Sequence, residues 1–380
     1  MQNFLNSLLK QRKHNDLYRT RQVHSGIQSP TLLIDGNQYL SFCSNDYLGL
    51  ASDLRLKNTW QIGAKKYGIG SGASHLITGH TSAHHSLELE LAKYTKRERA
   101  LLFSTGYMAN LGVVTTLLGR HDAVFLDKLN HASLVDAAQL SQAKMYRYSN
   151  LETLEHKLVN TTAKHKLIIT DGVFSMDGNI VNLPKIVELA KIHNAWVMVD
   201  DAHGLGVIGK TGRGTVELYD FGVEEVPILM GTLGKAFGVF GAFVAGSELL
   251  IETLIQSARS YIYTTALPPA LVDTIRTSLV IVEAENWRRQ HLCELITYFR
   301  NQASNLPLME SSTPIQPIIL GSSAIALKAS KLLYERGIIV TAIRPPTVPK
   351  ETARLRITLS ALHSKEQIDK LIKALNFLND

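Results

Sequence analysis

Cysteine is almost absent: Cys43 and Cys293 are the only two, and they lie far apart without metal-ligand spacing. Neither a disulfide framework nor a zinc site can be built from them, and a reducing cytoplasm suits such usage. Long apolar runs are missing too. None approaches the ~20 residues needed to cross a bilayer, so no membrane role is expected. Basic residues are scattered and no recognition motif accompanies them, which argues against nucleic acid. The Gly68-Ile69-Gly70-Ser71-Gly72 run lacks both a preceding strand and the G-x-G-x-x-G spacing. A dinucleotide turn is thereby excluded, and a substrate-facing or subunit-contact loop is expected. His80, His84 and His85 lack the glutamate of an HExxH site, so they read as polar positions at a helix start, with no metal. No repeat or low-complexity segment stands out.

What is present describes an enzyme of ordinary make: 45% hydrophobic, 19% charged, with a formal charge of +7. The positive balance suits anionic partners such as a phosphorylated cofactor, coenzyme A or an acidic carrier protein. Three hundred and eighty residues exceed one small core and imply two domains, or one large domain with a satellite.

Phe4, Leu5, Leu8 and Leu9 share one side of a helix that is followed by Lys10, Arg12 and Lys13. A basic amphipathic stretch of this kind suits a transit peptide or, equally, a helix docked on the body of the protein. Asp35-Gly36-Asn37 predicts a hairpin turn. From about residue 100 to 245, short apolar runs alternate with helical patterns such as Leu151 to Leu158 and Pro184 to His193. Such alternation predicts an α/β fold with a mostly parallel sheet flanked by helices. Residues 246–290 predict a long helical connection interrupted at Leu267-Pro268-Pro269. The tail reads helix, strand (Ile315 to Leu320), helix, strand (Ile338 to Ile343), strand (Ala353 to Leu359) and a closing helix, a smaller α+β domain. The division expected is 1–45 for the N-terminal helix and hairpin, 46–280 for the large domain, and 281–380 for the C-terminal domain.

Polar residues follow each predicted parallel strand: Asp127 with His131, Thr170-Asp171, Asp200-Asp201 with His203, and Thr232 with Lys235. Ligands in open α/β sheets bind beyond the C-terminal strand ends, so these groups are expected to converge. Lys235 sits between glycines in Gly231-Thr232-Leu233-Gly234-Lys235-Ala236-Phe237-Gly238. A partly desolvated lysine there can act as an amine nucleophile. A lysine for an aldehyde, an aspartate for a ring nitrogen and a histidine for a ring face are what pyridoxal phosphate requires. Ser104-Thr105-Gly106-Tyr107, ahead of a predicted helix, offers free N–H groups to its phosphate.

Together, Thr170-Asp171-Gly172-Val173-Phe174-Ser175-Met176-Asp177-Gly178, Val199-Asp200-Asp201-Ala202-His203-Gly204 and Gly231-Thr232-Leu233-Gly234-Lys235 resemble the α-oxoamine synthase family of fold-type-I pyridoxal phosphate enzymes. The likeness also includes Asn45-Asp46-Tyr47-Leu48-Gly49-Leu50, and its extent makes the N-terminal helix part of the fold.

The family condenses an amino acid with an acyl thioester and releases carbon dioxide. The resemblance implies that Lys235 binds the cofactor covalently and acts as base, that Asp200 holds its ring nitrogen, and that His203 contacts its ring hydroxyl. It gives His131 a place on the ring face, with a part in acyl activation and decarboxylation. Gly106, Tyr107, Ser175 and Thr232 complete the cofactor pocket, and Arg19 and Thr347 are expected at the substrate site.

The segment Ala342-Ile343-Arg344-Pro345-Pro346-Thr347-Val348-Pro349 resembles the branch that joins L-alanine to a pimeloyl thioester in biotin synthesis. Its donor is pimeloyl-CoA or a pimeloyl-acyl carrier protein. The pair Pro345-Pro346 predicts a stiff, extended segment presenting Arg344 and Thr347. Arg354 and Arg356 share one face of a predicted strand. Arg356 is preferred by resemblance for the amino-acid carboxylate, with Arg344 and Arg354 open as alternatives. Two glycine-using branches, glycine C-acetyltransferase and 5-aminolevulinate synthase, are the competing assignments. A cytoplasmic homodimer is the expected form.

Overall fold

The computed structural model describes residues 1–378 and divides into two compact units. One unit gathers Met1–Tyr47, Met176–Gly178 and the chain from Gln290 onward; the other holds Leu48–Ser175 and Asn179–Arg289.

The smaller unit begins with a helix, Gln2–His14, in which no residue is buried. Phe4, Leu5, Leu8 and Leu9 remain 41–68% exposed, so the docked helix anticipated from their spacing is a helix with its apolar face uncovered in the single chain. The hairpin forms as predicted: β1 (Thr31–Ile34) pairs antiparallel with β2 (Asn37–Ser41) around Asp35 and Gly36. Both turn residues have positive φ (48° and 78°), the requirement that Asp-Gly meets at low cost.

The larger unit is built on seven strands: β3 (Arg99–Phe103), β4 (Ala123–Asp127), β5 (Lys144–Tyr148), β6 (Lys166–Asp171), β7 (Trp196–Asp200), β8 (Ile228–Thr232) and β9 (Ala242–Gly246). Their spatial order is β3-β9-β8-β7-β6-β4-β5. All neighbours are parallel except those of β9, which runs against both β3 and β8.

Alternation along the strands sends side chains to two cores. Val124, Leu126, Ile169 and Met230 pack with the helices Gly106–Leu117, Ala132–Ser141 and Glu248–Ser257. Phe125, Ile168, Val197, Val199 and Leu229 pack with Leu151–Val159 and Leu183–Ile192. Both of the latter helices start where side chains make a start favourable. Asn150 Oδ1 accepts from Thr153 N–H (2.9 Å), and Asn182 caps a helix with proline in its first turn. The interruption at Leu267-Pro268-Pro269 separates the short helix Arg259–Ile262 from Pro269–Ala284.

Back in the smaller unit, β10 (Ile315–Gly321), β11 (Ile338–Ile339), β12 (Thr341–Ile343) and β13 (Ala353–Thr358) follow. The predicted strand Ile338 to Ile343 breaks at Val340. Its first half joins β2 in parallel; its second half pairs with β13, which also holds β10. Residues 345 and 346 form a turn, closed by Thr347 N–H donating to Arg344 C=O at 3.1 Å, where an extended segment was expected. No helix among the described residues is long and apolar enough to cross a membrane.

Candidate active site

Four adjacent parallel strands, β8, β7, β6 and β4, end on one edge of the large sheet. Around a cavity of about 180 Å³ they bring Lys235, Thr232, His203, Asp200, Asp171 and His131, with Gly106 and Tyr107 from the helix after β3. The predicted convergence of strand ends is therefore physical.

Lys235 lies on the loop between β8 and β9, and its Nζ is 2.8 Å from His203 Nε2. That loop is fastened repeatedly. Leu233 N–H donates to Gly241 C=O (2.9 Å), Val239 N–H to Leu233 C=O (2.9 Å), and Gly238 N–H to Lys235 C=O (2.8 Å). Ser278 Oγ, from the helix Pro269–Ala284, donates to Phe237 C=O at 2.6 Å. Gly238 has φ +67°, and a Cβ there would press on the Leu50–Ala51 backbone, which leaves glycine as the residue for the turn.

Asp200 ends β7 and is 3% exposed. Its Oδ2 accepts from Asn110 Nδ2 (2.8 Å) and its Oδ1 from Ala202 N–H (3.1 Å), both neutral donors. The same Asn110 amide also donates to Ser133 Oγ (2.8 Å), which in turn meets His131 Nδ1 (2.7 Å). Asp200 and His131 are thus joined through Asn110 and Ser133. His131 caps the helix Ala132–Ser141, its Nδ1 accepting from Ser133 N–H at 3.3 Å, so a neutral ring carries its proton on Nε2. Its outer side stays open to solvent, but burial of the rest draws its pKa below the usual histidine value, against the pull of Asp200.

Asp171 ends β6 opposite Asp200 in register. Its Oδ2 accepts from Asn130 Nδ2 (2.8 Å) and from His131 N–H (3.1 Å), holding the His131 loop in place. Burial, and then the neighbouring Asp200, push its carboxyl up to about 8. Asp171, Asn110 and Ser133 line the cavity without having been selected as site residues from the sequence. Asp171 was visible as a polar strand ending. Asn110 and Ser133 carried no signal, because each lies inside a helix whose facing is set by packing.

Gly106 opens the helix Gly106–Leu117, with Thr105 Oγ1 accepting from Met108 N–H (3.2 Å). The first N–H groups of such a helix have no partner within it and suit an anion. Tyr107 reaches Asp136 through its hydroxyl. Ser175 is buried beyond β6 and is not among the residues lining the cavity.

The remaining predicted residues belong to the smaller unit. Arg19, Arg344 and Thr347 surround a cavity of about 570 Å³ there. Arg344 donates to the carbonyls of Asp16 and Tyr18, and burial, followed by the charge of Arg19, lowers its pKa. Arg354 is bound in a buried ion pair with Asp177, its Nε donating to Thr352 C=O at 3.0 Å. Arg356, 7% exposed, donates to Thr358 Oγ1 (3.1 Å) and Asn45 Oδ1 (3.2 Å), both neutral acceptors.

The cavity of the large unit suits pyridoxal phosphate by its donor set: a lysine amine, a buried carboxylate held by neutral donors, and a helix N-terminus. Residues 37–375 match the aminotransferase class I and II family. An 8-amino-7-oxononanoate synthase from Thioalkalivibrio sulfidiphilus is 55% identical over 98% of this chain and 96% of its own. The solved structure of the 8-amino-7-oxononanoate synthase of Francisella tularensis is 36% identical, with a TM-score of 0.79 over 89% of this chain and 97% of its own. A serine palmitoyltransferase from S. paucimobilis, solved with a bound PLP–myriocin aldimine, is 28% identical with a TM-score of 0.92, covering 99% and 96%.

Proposed function

The chain belongs to the aminotransferase class I and II family and is a pyridoxal-phosphate-dependent α-oxoamine synthase; on that premise we propose that it makes 8-amino-7-oxononanoate by condensing L-alanine with a pimeloyl thioester and releasing carbon dioxide. The observation that carries this reading is the meeting of Lys235, His203 and Asp200 in one cavity of a chain that is kin, nearly end to end, to such synthases.

Pyridoxal phosphate bound there supplies a reactive aldehyde and a protonated ring that draws electrons from the amino acid. Lys235 would be the amine that holds it, and its Nζ would be the base that takes the α-proton of alanine and later returns one. The close approach of His203 to that amine makes it the neighbour through which the amine's proton is managed, and it would also meet the ring hydroxyl. Asp200, kept in place by Asn110 and Ala202, would hold the ring nitrogen as its cationic partner.

His131, with Nδ1 engaged by Ser133, presents Nε2–H as a donor to an oxygen bearing developing charge. The N–H groups at Gly106 and Tyr107 would receive the phosphate, and Thr232 and Ser175 would contact the cofactor. Arg356 is assigned the alanine carboxylate, since a guanidinium fork suits two oxygens and Arg354 is already bound to Asp177. Arg19, Arg344 and Thr347 are assigned the acyl donor, on coenzyme A or on a carrier protein. The expected form is a cytoplasmic homodimer. Exposed apolar side chains at Ile69, Ile77 and Tyr263 (71–75%) support a covering subunit.

The test is product mass after incubating the purified, cofactor-loaded protein with alanine or glycine and with pimeloyl, acetyl or succinyl thioesters. Alanine with pimeloyl-CoA or pimeloyl-acyl carrier protein should give 8-amino-7-oxononanoate. Product from glycine alone, with acetyl- or succinyl-CoA, would replace this reading by a glycine-using activity.

A further inference from the structure

One buried carboxylate near the cavity has no part in the chemistry above. Asp201 follows Asp200 and is fully buried, and no described residue forms an ion pair with it. Its backbone is the anchor of the His203 turn: Asp201 N–H donates to Met230 C=O (2.9 Å), and its C=O accepts from Gly204 N–H (3.1 Å) and Leu205 N–H (3.0 Å). Its Oδ2 accepts from Thr215 N–H at 2.6 Å.

Three glycines from three separate segments close on this one carboxyl. A Cβ at Gly172, Gly204 or Gly214 would collide with its oxygens. Two polar atoms are left over, Asp201 Oδ1 and Thr215 Oγ1, each buried without a partner. Both border the space that a Gly172 Cβ would occupy. A proton on Oδ1 turns that leftover acceptor into a donor beside a leftover hydroxyl oxygen, which removes the cost of both.

We propose that Asp201 is a positioning residue: a neutral carboxylic acid, clasped by Gly172, Gly204 and Gly214, that fixes the turn carrying His203 so that His203 meets Lys235. Burial, opposed in part by the N–H and the nearby hydroxyl of Thr215 and aided by Asp200, raises its pKa to about 7. The other charged groups on the segments around it are Asp171, His203 and the Arg213–Glu217 pair, whose members bind each other at 2.8 Å. This inference rests on Lys235 and His203 being working groups. Turnover of Lys235→Ala and His203→Ala beside wild type, with alanine and pimeloyl-CoA, tests that premise separately.

A neutral acid in the folded state and an ionised one in the unfolded chain make folding take up a proton. Stability from this group is then full below about pH 4 and is lost as pH rises towards 7. Asp201→Asn keeps the shape and removes the titration. The experiment measures Tm from pH 5 to 8, without cofactor, together with kcat and the pH titration of the bound cofactor's visible absorbance. Asp201→Asn should keep kcat within about threefold, and its Tm relative to wild type should climb by roughly 3–5 °C between pH 5 and 8. Asp201→Ala should lower kcat at least about tenfold and displace the absorbance midpoint, because the His203–Lys235 contact loosens. Parallel Tm curves for wild type and Asp201→Asn would overturn the proposal. So would an Asp201→Ala protein with unchanged kcat and absorbance midpoint. Should Asp201→Ala not fold, Gly204→Ala, which presses a methyl on the same carboxyl, is read by the same kcat and midpoint criteria.

Discussion

Replacing Asp200 by asparagine separates what the carboxylate does for the fold from what it does for the reaction. The side chain receives two hydrogen bonds, from Asn110 Nδ2 at 2.8 Å and Ala202 N–H at 3.1 Å. The asparagine oxygen can keep the Ala202 bond. Its new NH2 then faces Asn110, whose own Oδ1 is buried without a partner and can turn to accept. One bond is exchanged for another, so unfolding free energy should change by no more than about 1 kcal/mol. The reaction loses the anion that would hold a cationic ring nitrogen in a buried site. Removing one preorganised electrostatic stabiliser costs about 10²–10³ in kcat, equivalent to about 2.7–4 kcal/mol. The assay is 8-amino-7-oxononanoate formed per minute by cofactor-saturated protein, beside urea unfolding of the same sample. An Asp200→Asn protein within threefold of wild-type kcat would refute the assignment of this carboxylate to the ring.

Lys235→Ala should still bind pyridoxal phosphate but release it on dialysis, and turn over no alanine; measurable product would show that another amine serves. Arg354→Met should destabilise the protein by about 3–5 kcal/mol, since it leaves Asp177 without its buried partner, and urea unfolding with an unchanged midpoint would contradict the buried pair. His363 stacks on Phe42 at 4.4 Å and donates to Ser41 C=O at 3.0 Å, and burial lowers its pKa to about 4. Its neutral form is favoured by folding, so the stability it contributes is present above about pH 6.5 and lost as pH falls towards 4. His363→Gln should flatten the fall in Tm between pH 7 and 5, and two parallel curves would exclude His363 as its source.

The large sheet was legible because its strands are short apolar runs that end in polar residues, and a parallel strand has only one end at which a ligand can sit. Lys235, His203, Asp200 and His131 follow such strand ends, and the folded chain brings them around one cavity. Local pattern could not tell that Asn110 and Ser133 connect Asp200 to His131, because each depends on how one helix faces another. Nor could it tell that the run from Ile338 to Ile343 serves two sheets. A break at Val340 leaves little mark on a run whose apolar residues continue on both sides of it. The facing of Arg354 and Arg356 was readable from their spacing, but the partner of Arg354 is 177 positions away and only the folded chain brings Asp177 to it.

The loop that carries Lys235 is stitched to itself where it leaves β8 and reaches β9, and to a helix at Phe237. A lysine mounted so firmly has only its butyl stem left to swing. In the proposed role, then, this lysine would take and return a proton by rotating a few carbon–carbon bonds above a fixed backbone.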